Sequence, residues 1–485
     1  MIDRIRTYIE AVSGRIVSGR NAFVALWTAR VPVQITVICL SVSIGIGAGA
    51  LAELLKFMMS WLWGNIVGNN KPDSMFHWSL LFLPLVGMIA AMVYQRYVLK
   101  QDLAHGTARI MKLLGSKDGT YRIPFWTSIN SLIGCSLTVG LGSSAGSEGP
   151  SALSGAALGS SAGRMFRLDP QWVRAMVAIG AGAGIAAIFK APVGGVLYVL
   201  EVLELPMTTL AVISLVLACT LASTTAYFIS GTPFDMALHA DFPNNSLLGW
   251  VALLGVALGL YALWYIWSKN RVARLLDRIG NPWVKVGVAG AGMSACVFMV
   301  PALFGEGFGV MADMSSGLFP AVFDQGVFAT ADSRGLMFYL ALAFILLIKG
   351  ALVAAANNGG GVAGEMVPAL FIGAVGGCLF GYAMNGLFHL EIPVWFMALT
   401  GMGAMLGCSS HAPLMSVFIL CEMTNTLNFM PAYILCSLIS YVVMKLFKPH
   451  STWFATGHDD IVSLWHRFFH HKSSQVHPGD GKGKR

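Results

Sequence analysis

The sequence Gly-Ser-Glu-Gly-Pro at residues 146–150 places an acidic side chain between glycines at the start of an apolar stretch. A similar frame, Gly-Glu-Met-Val-Pro, returns at residues 364–368, and Ala-Leu follows closely after each proline. Pro150 and Pro368 are 218 residues apart. Proline favours the first turn of a helix, where free backbone N–H groups and the helix dipole attract an anion. The repeat therefore predicts two related halves, each with a helix start that can face an anion.

A second set of residues repeats at nearly the same distance and supports this division of the chain. Counterparts 221 residues later, at Gly401, Gly403, Pro413 and Glu422, match the first set, which is Gly180, Gly182, Pro192 and Glu201. We therefore expect an N-terminal segment, a first membrane half, a connecting loop, a second membrane half and a short basic tail. Their boundaries are 1–30, 31–231, 232–246, 247–447 and 448–485.

The composition excludes a soluble globular protein. Of the 485 residues, 56% are hydrophobic and only 11% are charged, and the mean hydropathy is +0.69. A soluble domain carries about 25% charged residues. A membrane-spanning helix needs about 20 mostly apolar residues. Six runs meet or nearly meet that length and predict a polytopic protein of the lipid bilayer, namely 31–63, 79–98, 247–267, 284–303, 336–356 and 430–446.

The charge distribution bears on orientation and on partners. The net charge is +8, and basic residues are spread through both terminal segments. By the positive-inside rule we expect both termini to be cytoplasmic. We expect the protein to lie in the inner (plasma) membrane of a bacterial cell. The basic residues form no recognition motif, so we expect no nucleic-acid partner. The eight cysteines stand singly in apolar segments, which indicates free thiols, and we expect no metal or cofactor.

Glu148 is the residue on which a functional interpretation depends. A carboxylate inside an apolar region is costly, so it is expected to be paired, protonated or functional. At the positive end of a helix dipole it would compete with an anion, and protonation would release it. The alternative is a glutamate that only caps its own helix. The return of the motif in the second half favours the functional interpretation.

Several motifs, in order, resemble those of the CLC family of chloride channels and chloride/proton exchangers. Residues 146–150 resemble its Gly-Arg-Glu-Gly-Pro signature, and residues 190–201 are similar to its Ala-Pro-x-x-Gly-x-x-Phe-x-x-Glu segment. Residues 305–308 resemble its Gly-x-Gly-Tyr/Phe turn, and residues 411–424 its late signature ending in Glu-Met-Thr. The resemblance implies an all-α polytopic fold with two inverted halves and about eighteen helices, some of them broken. It also implies a homodimer with a pore in each subunit.

The resemblance implies that Glu148 acts as the gate and proton acceptor of a chloride path. Family exchangers often carry a second glutamate for internal proton relay directly after the position of Glu201, where this chain has Val202. Glu204, one helical turn from Glu201, is the substitute we expect for that relay. The candidate anion-binding residues are His105, Gly106, Gly146, Gly149, Glu365, Met366, Val367 and Trp453.

Departures from the family pattern keep alternatives open. His105 stands where the family has an inner-gate serine, Met366 replaces an aromatic residue, and Ser147 replaces an arginine. Trp453 stands near the place of a tyrosine that closes the inner end of the anion site.

Glu365 adds a carboxylate, as in fluoride/proton exchangers of the wider family, and Lys349 is one possible partner for it. Chloride transport, by a channel or by an exchanger, is the first reading, and fluoride/proton antiport is the alternative. A distant alternative is an intramembrane enzyme, for which the sequence offers no nucleophile motif.

Overall fold

The computed structural model describes residues 22, 24–67, 78–116, 119–205, 208–231, 245–319, 326–328 and 335–447. Most of the predicted N-terminal segment and connecting loop, together with the tail and Trp453, lie outside the described residues.

The described residues form α-helices and short 3₁₀ or π-helical turns, without a β-strand. After a helical stretch at 24–30, the first half contains α1 (Val33–Leu62), α2 (Trp78–Val93), α3 (Gly106–Leu114), α4 (Thr127–Thr138), α5 (Glu148–Met165), α6 (Pro170–Phe189), α7 (Pro192–Leu197) and α8 (Thr209–Ser230). The second contains α9 (Leu248–Asp277), α10 (Pro282–Met299), α11 (Phe308–Ser315), α12 (Leu336–Asn358), α13 (Met366–Phe388), α14 (Val394–Ser410), α15 (Pro413–Thr424) and α16 (Met430–Phe447). The π-helical turns are Trp63–Val67, Tyr94–Leu99 and Tyr198–Val202, and the 3₁₀ turns are Asn245–Leu247, Pro301–Leu303 and Leu427–Phe429.

Within the described ranges, nine helical segments are long and apolar enough to cross a membrane. Six of them correspond to the six apolar runs of the sequence. The other three are Pro170–Phe189, Thr209–Ser230 and Met366–Phe388. The prediction of an all-helical, multi-pass membrane protein is confirmed.

The two halves repeat the same helix packing at their centres. Gly155 of α5 lies against Gly180 of α6, so that a β-carbon on either would collide with the carbonyl oxygen of the other. Gly373 of α13 and Gly401 of α14 form the same contact. These two glycines lie 218 and 221 residues after the first pair, so the sequence repeat is a repeat of close helix approach. The packing holds α5 and α13 rigidly, and both begin in the motifs quoted above.

This close approach predicts a loss of stability when Gly373 is replaced by Ala. The added methyl group would force α13 and α14 apart, and overpacking of this kind costs about 1–3 kcal/mol. Gly287→Ala on α10 is the matched control, because a β-carbon there meets no atom within 4 Å. Thermal unfolding of the purified protein in detergent should show a lower midpoint for Gly373→Ala and an unchanged one for Gly287→Ala. Equal midpoints would contradict the packing described.

The short helices α7 and α15 each have their N-terminal N–H groups capped by a glutamate of the other half. Glu422 of α15 accepts the backbone N–H groups of Val193 (3.0 Å) and Gly194 (2.9 Å) at the start of α7. Glu201, just after α7, accepts those of Leu414 (3.3 Å) and Met415 (2.7 Å) at the start of α15. Each carboxylate therefore satisfies two free N–H groups of the other half. The Glu201 side chain is occupied as a cap in this arrangement.

Candidate functional site

The two repeated motifs meet in the centre of the protein. Gly146 and Gly364 form an isolated antiparallel bridge, in which the Gly364 N–H donates to the Gly146 carbonyl (2.6 Å) and the Gly146 N–H to the Gly364 carbonyl (3.2 Å). A β-carbon on either glycine would overlap the Glu148 carboxylate. Glycine at both positions therefore lets the starts of α5 and α13 face each other with the carboxylate between them.

Glu148 is fully buried, with an exposed fraction of 0%. Its Oε1 accepts the backbone N–H of Met366, the first residue of α13. Its Oε2 is buried without a hydrogen-bond partner, and no ion pair joins it to a basic side chain in the described part of the chain. The carboxylate occupies the N-terminal end of a helix from the other half. Such an end, with free N–H groups and a positive dipole, binds anions.

Glu365 is paired with a lysine that sequence reasoning did not identify. Lys269 Nζ, on α9, lies 2.6 Å from Glu365 Oε2, and both side chains are largely buried. The suggested partner, Lys349, is not the one observed. The pair places Lys269 opposite the Glu365 carboxylate, directly before the Met366 N–H, so Glu365 does not stand alone at the start of α13.

Lys349 lies on the other side of the Glu148 motif. It is fully buried on α12, and its Nζ donates to Ser144 Oγ at 2.6 Å. The same Nζ lies 4.4 Å from the centre of the Phe371 ring on α13. Ser144 belongs to the loop that leads into residues 146–150, so the Lys349 side chain joins that loop to α13.

The segment before α3 contributes two of the predicted residues. His105 has left-handed backbone geometry (φ 55°) and directly precedes α3. Gly106 packs so closely on the Gly149 carbonyl that a β-carbon would collide with it. His105 also lines a cavity of about 670 Å³ whose wall includes polar and basic side chains. Those side chains include Gln95, Arg96, Lys100, Lys285 and Asn357.

Two tyrosines near these segments were missed by sequence reasoning. The Tyr198 hydroxyl donates to Thr107 Oγ1 at 3.3 Å, joining the π-helical turn after α7 to the start of α3. Tyr265, one turn before Lys269 on α9, buries a hydroxyl that has no hydrogen-bond partner. Both stand in apolar helical segments, and nothing in the local sequence separates them from ordinary core aromatics.

Glu306 was predicted only as part of a turn, and the structure brings it to the motif at residues 146–150. Its Oε1 accepts the backbone N–H of Ser147 at 2.8 Å. Val367, the second residue of α13, is fully buried at the same helix start. Glu204 is exposed at the end of the π-helical turn that follows α7, and no contact within the described chain joins it to Glu148.

Comparisons with known proteins agree with the fold. Residues 86–445 match the family described as "Voltage gated chloride channel". The chain is 29% identical over 443 residues to the "Putative chloride channel protein ClcB-like" of Ralstonia nicotianae, covering 86% of this chain and 96% of that protein. It is 24% identical over 412 residues to the "Voltage-gated ClC-type chloride channel ClcB" of Salmonella typhi, covering 81% and 91%.

Solved structures share the fold at lower sequence identity. A slow cyanobacterial Cl⁻/H⁺ antiporter superposes with a TM-score of 0.71 and 21% identity, covering 91% of this chain and 99% of that one. A CLC-type fluoride/proton antiporter superposes with a TM-score of 0.69 and 21% identity, covering 86% and 96%. The matched family spans most of the sequence, and the chain belongs to the voltage-gated chloride channel (CLC) family.

Proposed function

We propose that this protein moves chloride across a membrane, and that Glu148 gates the anion path. The observation that carries the proposal is the position of the Glu148 carboxylate. It occupies the N-terminal end of α13 and accepts the Met366 N–H, in a fully buried place without a basic partner among the described residues. A carboxylate bound in this way is held where a dehydrated anion would bind.

The gating mechanism follows from competition for the same N–H groups. The ionised Glu148 side chain fills the helix end and blocks the path. A proton neutralises the side chain and weakens its attraction to the helix dipole, so the side chain can leave and an anion can take its place. If a proton crosses the membrane in exchange for the anion, the protein is an exchanger. If the proton only opens the path, the protein is a channel. Glu204 is the residue we propose for an internal relay in the first case.

Two kinds of observation bear on which anion is transported. The named relatives are chloride channels, which favours chloride. Glu365 next to the anion path favours fluoride/proton antiport as the second candidate. Its pairing with Lys269 supports chloride, because a compensated carboxylate repels an anion less than a bare one.

The remaining parts of the proposal concern the setting of the protein. The family and the fold are those of transporters and channels, so we set aside the intramembrane enzyme. We propose that the protein is a homodimer in a bacterial plasma membrane. We also propose that both termini are cytoplasmic, because both terminal segments are basic.

Ion efflux from liposomes tests the proposed substrate. Purified protein is reconstituted into vesicles loaded with chloride or with fluoride, and an anion electrode and a pH electrode record efflux together. We expect chloride efflux well above that of protein-free vesicles and above fluoride efflux. Uphill proton movement at a fixed ratio to chloride would identify an exchanger, and its absence a channel. Fluoride efflux far above chloride efflux would indicate that fluoride, and not chloride, is the substrate. No efflux of either ion would contradict the proposed function.

A further inference from the structure

Glu306 lies in a tight turn of the second half that packs against the loop before α5 in the first half. This loop, residues 139–147, is here called the gate loop. Gly305 and Gly307 on either side have positive φ angles of 63° and 81°. The Gly305 N–H donates to the carbonyl of Gly142 at 3.3 Å, and a β-carbon on Gly307 would meet the Phe371 ring. Both ends of the turn are thus fixed, and the Glu306 side chain is held at one place beside the start of α5.

The contacts of Glu306 mirror those of Glu148. Glu148, from the first half, accepts the N–H of Met366 at the start of α13. Glu306, from the second half, accepts the N–H of Ser147 at the start of α5 (2.8 Å). Two carboxylates therefore occupy the two helix ends that face the centre of the site.

Glu306 is more exposed to solvent than Glu148. Glu306 is half-buried, whereas Glu148 is fully buried. The charged and titratable groups near Glu306, Glu148 and the gate loop are Lys56 from α1, Cys135 from α4, Glu148 from α5, Tyr198 after α7, Tyr265 from α9, Lys349 from α12 and Glu365 directly before α13. Burial raises the pKa of the Glu306 carboxyl above its ordinary value, while the Ser147 hydrogen bonds and the charge of Lys56 act in the opposite direction.

We propose that Glu306 is a second gating carboxylate, which closes the start of α5 and raises the proton affinity of Glu148. This inference rests on the proposed function. The ionised Glu306 occupies the Ser147 N–H, so an anion cannot bind there, and its negative charge disfavours ionisation of Glu148. Because Glu306 is the more exposed of the two, it exchanges protons with solvent while Glu148 is shielded.

The competing explanation is that Glu306 only caps the start of α5. Glu422 and Glu201, which cap the starts of α7 and α15, are examples of such structural caps. Glu201 and Glu422 each accept two backbone N–H groups at the start of a helix in the other half. Glu306 accepts a single backbone N–H, that of Ser147, the residue directly before Glu148. A cap alone would leave the external pH profile of transport where it is.

The test is the external pH profile of chloride efflux from liposomes for the wild type and for Glu306→Gln. Removing the like charge lets Glu148 ionise more readily, so acid activation should move to lower pH by on the order of 1 unit. Glu306→Asp keeps the charge and should restore the wild-type midpoint. Glu391→Gln is the matched control, because this glutamate is exposed in the loop between α13 and α14.

The outcomes separate this inference from the proposed function. Glu306→Ala removes the same charge and serves if the glutamine variant is not recovered as a folded protein. A midpoint unchanged by Glu306→Gln or Glu306→Ala, in a protein whose flux still responds to Glu148→Gln, overturns the inference and leaves the proposed function standing. Absence of anion flux in the wild type overturns both.

Discussion

Glu148→Gln should leave the protein conducting chloride at every external pH. Glutamine has the shape of a protonated glutamate and carries no charge, so it competes only weakly with an anion for the Met366 N–H. We expect chloride efflux at neutral pH to rise to the acid-activated level of the wild type. The ratio of efflux at acidic external pH to that at neutral pH should fall to about one. Proton movement coupled to chloride should be lost in the same variant.

The measurement is paired chloride and proton recording from liposomes across a series of external pH values. Glu391→Gln is the control, because this glutamate is exposed in the loop between α13 and α14 and touches no part of the site. It should behave as the wild type. A Glu148→Gln variant that keeps the wild-type pH profile would remove Glu148 from the gate.

Lys269→Met should destabilise the protein strongly, because it leaves Glu365 without its ion-pair partner. The pair is short, at 2.6 Å, and the two side chains are only 9% and 18% exposed. Removing one partner of a buried pair costs about 3–5 kcal/mol, since the other charge remains buried. Replacing both, as Lys269→Met with Glu365→Met, should recover most of that loss, because no charge is left uncompensated.

Unfolding in detergent, followed for both variants and the wild type, checks this prediction. The control is Lys285→Met, which breaks the Lys285–Asp277 pair at the surface (2.9 Å, with side chains 24% and 59% exposed). An exposed pair contributes about 0–1 kcal/mol, so Lys285→Met should change little. Equal losses for Lys269→Met and Lys285→Met, or a double variant no better than the single one, would contradict the role given to the pair.

The sequence predicted the elements that repeat and did not predict the contacts that cross between halves. The frames at 146–150 and 364–368 were recognisable because glycine, a carboxylate and proline recur at a fixed distance. Two halves related by such a repeat can bring the two frames together, as the bridge between Gly146 and Gly364 does. Lys269 and Glu306 were not predicted as partners because they stand 96 and 159 residues from the groups they contact. No local pattern fixes contacts over such distances.

The three membrane-length helices that the sequence analysis did not count have a common physical cause. Pro170–Phe189 and Met366–Phe388 are buried over 89% and 78% of their most apolar windows, so they face protein more than lipid. Small and polar residues are tolerated there, and they interrupt the apolar runs by which spans are recognised. Thr209–Ser230 carries several serines and threonines, which lower its apolar continuity in the same way.

The most direct measurement is an anomalous-diffraction map of crystals grown in bromide, for the wild type and for Glu148→Ala. The central claim is that the Glu148 carboxylate and the transported anion occupy the same helix end. The account predicts a bromide peak within hydrogen-bond distance of the Met366 N–H in Glu148→Ala and none there in the wild type at neutral pH. A Glu148→Ala map with no bromide at the start of α13, from a protein that still conducts the ion, would contradict it.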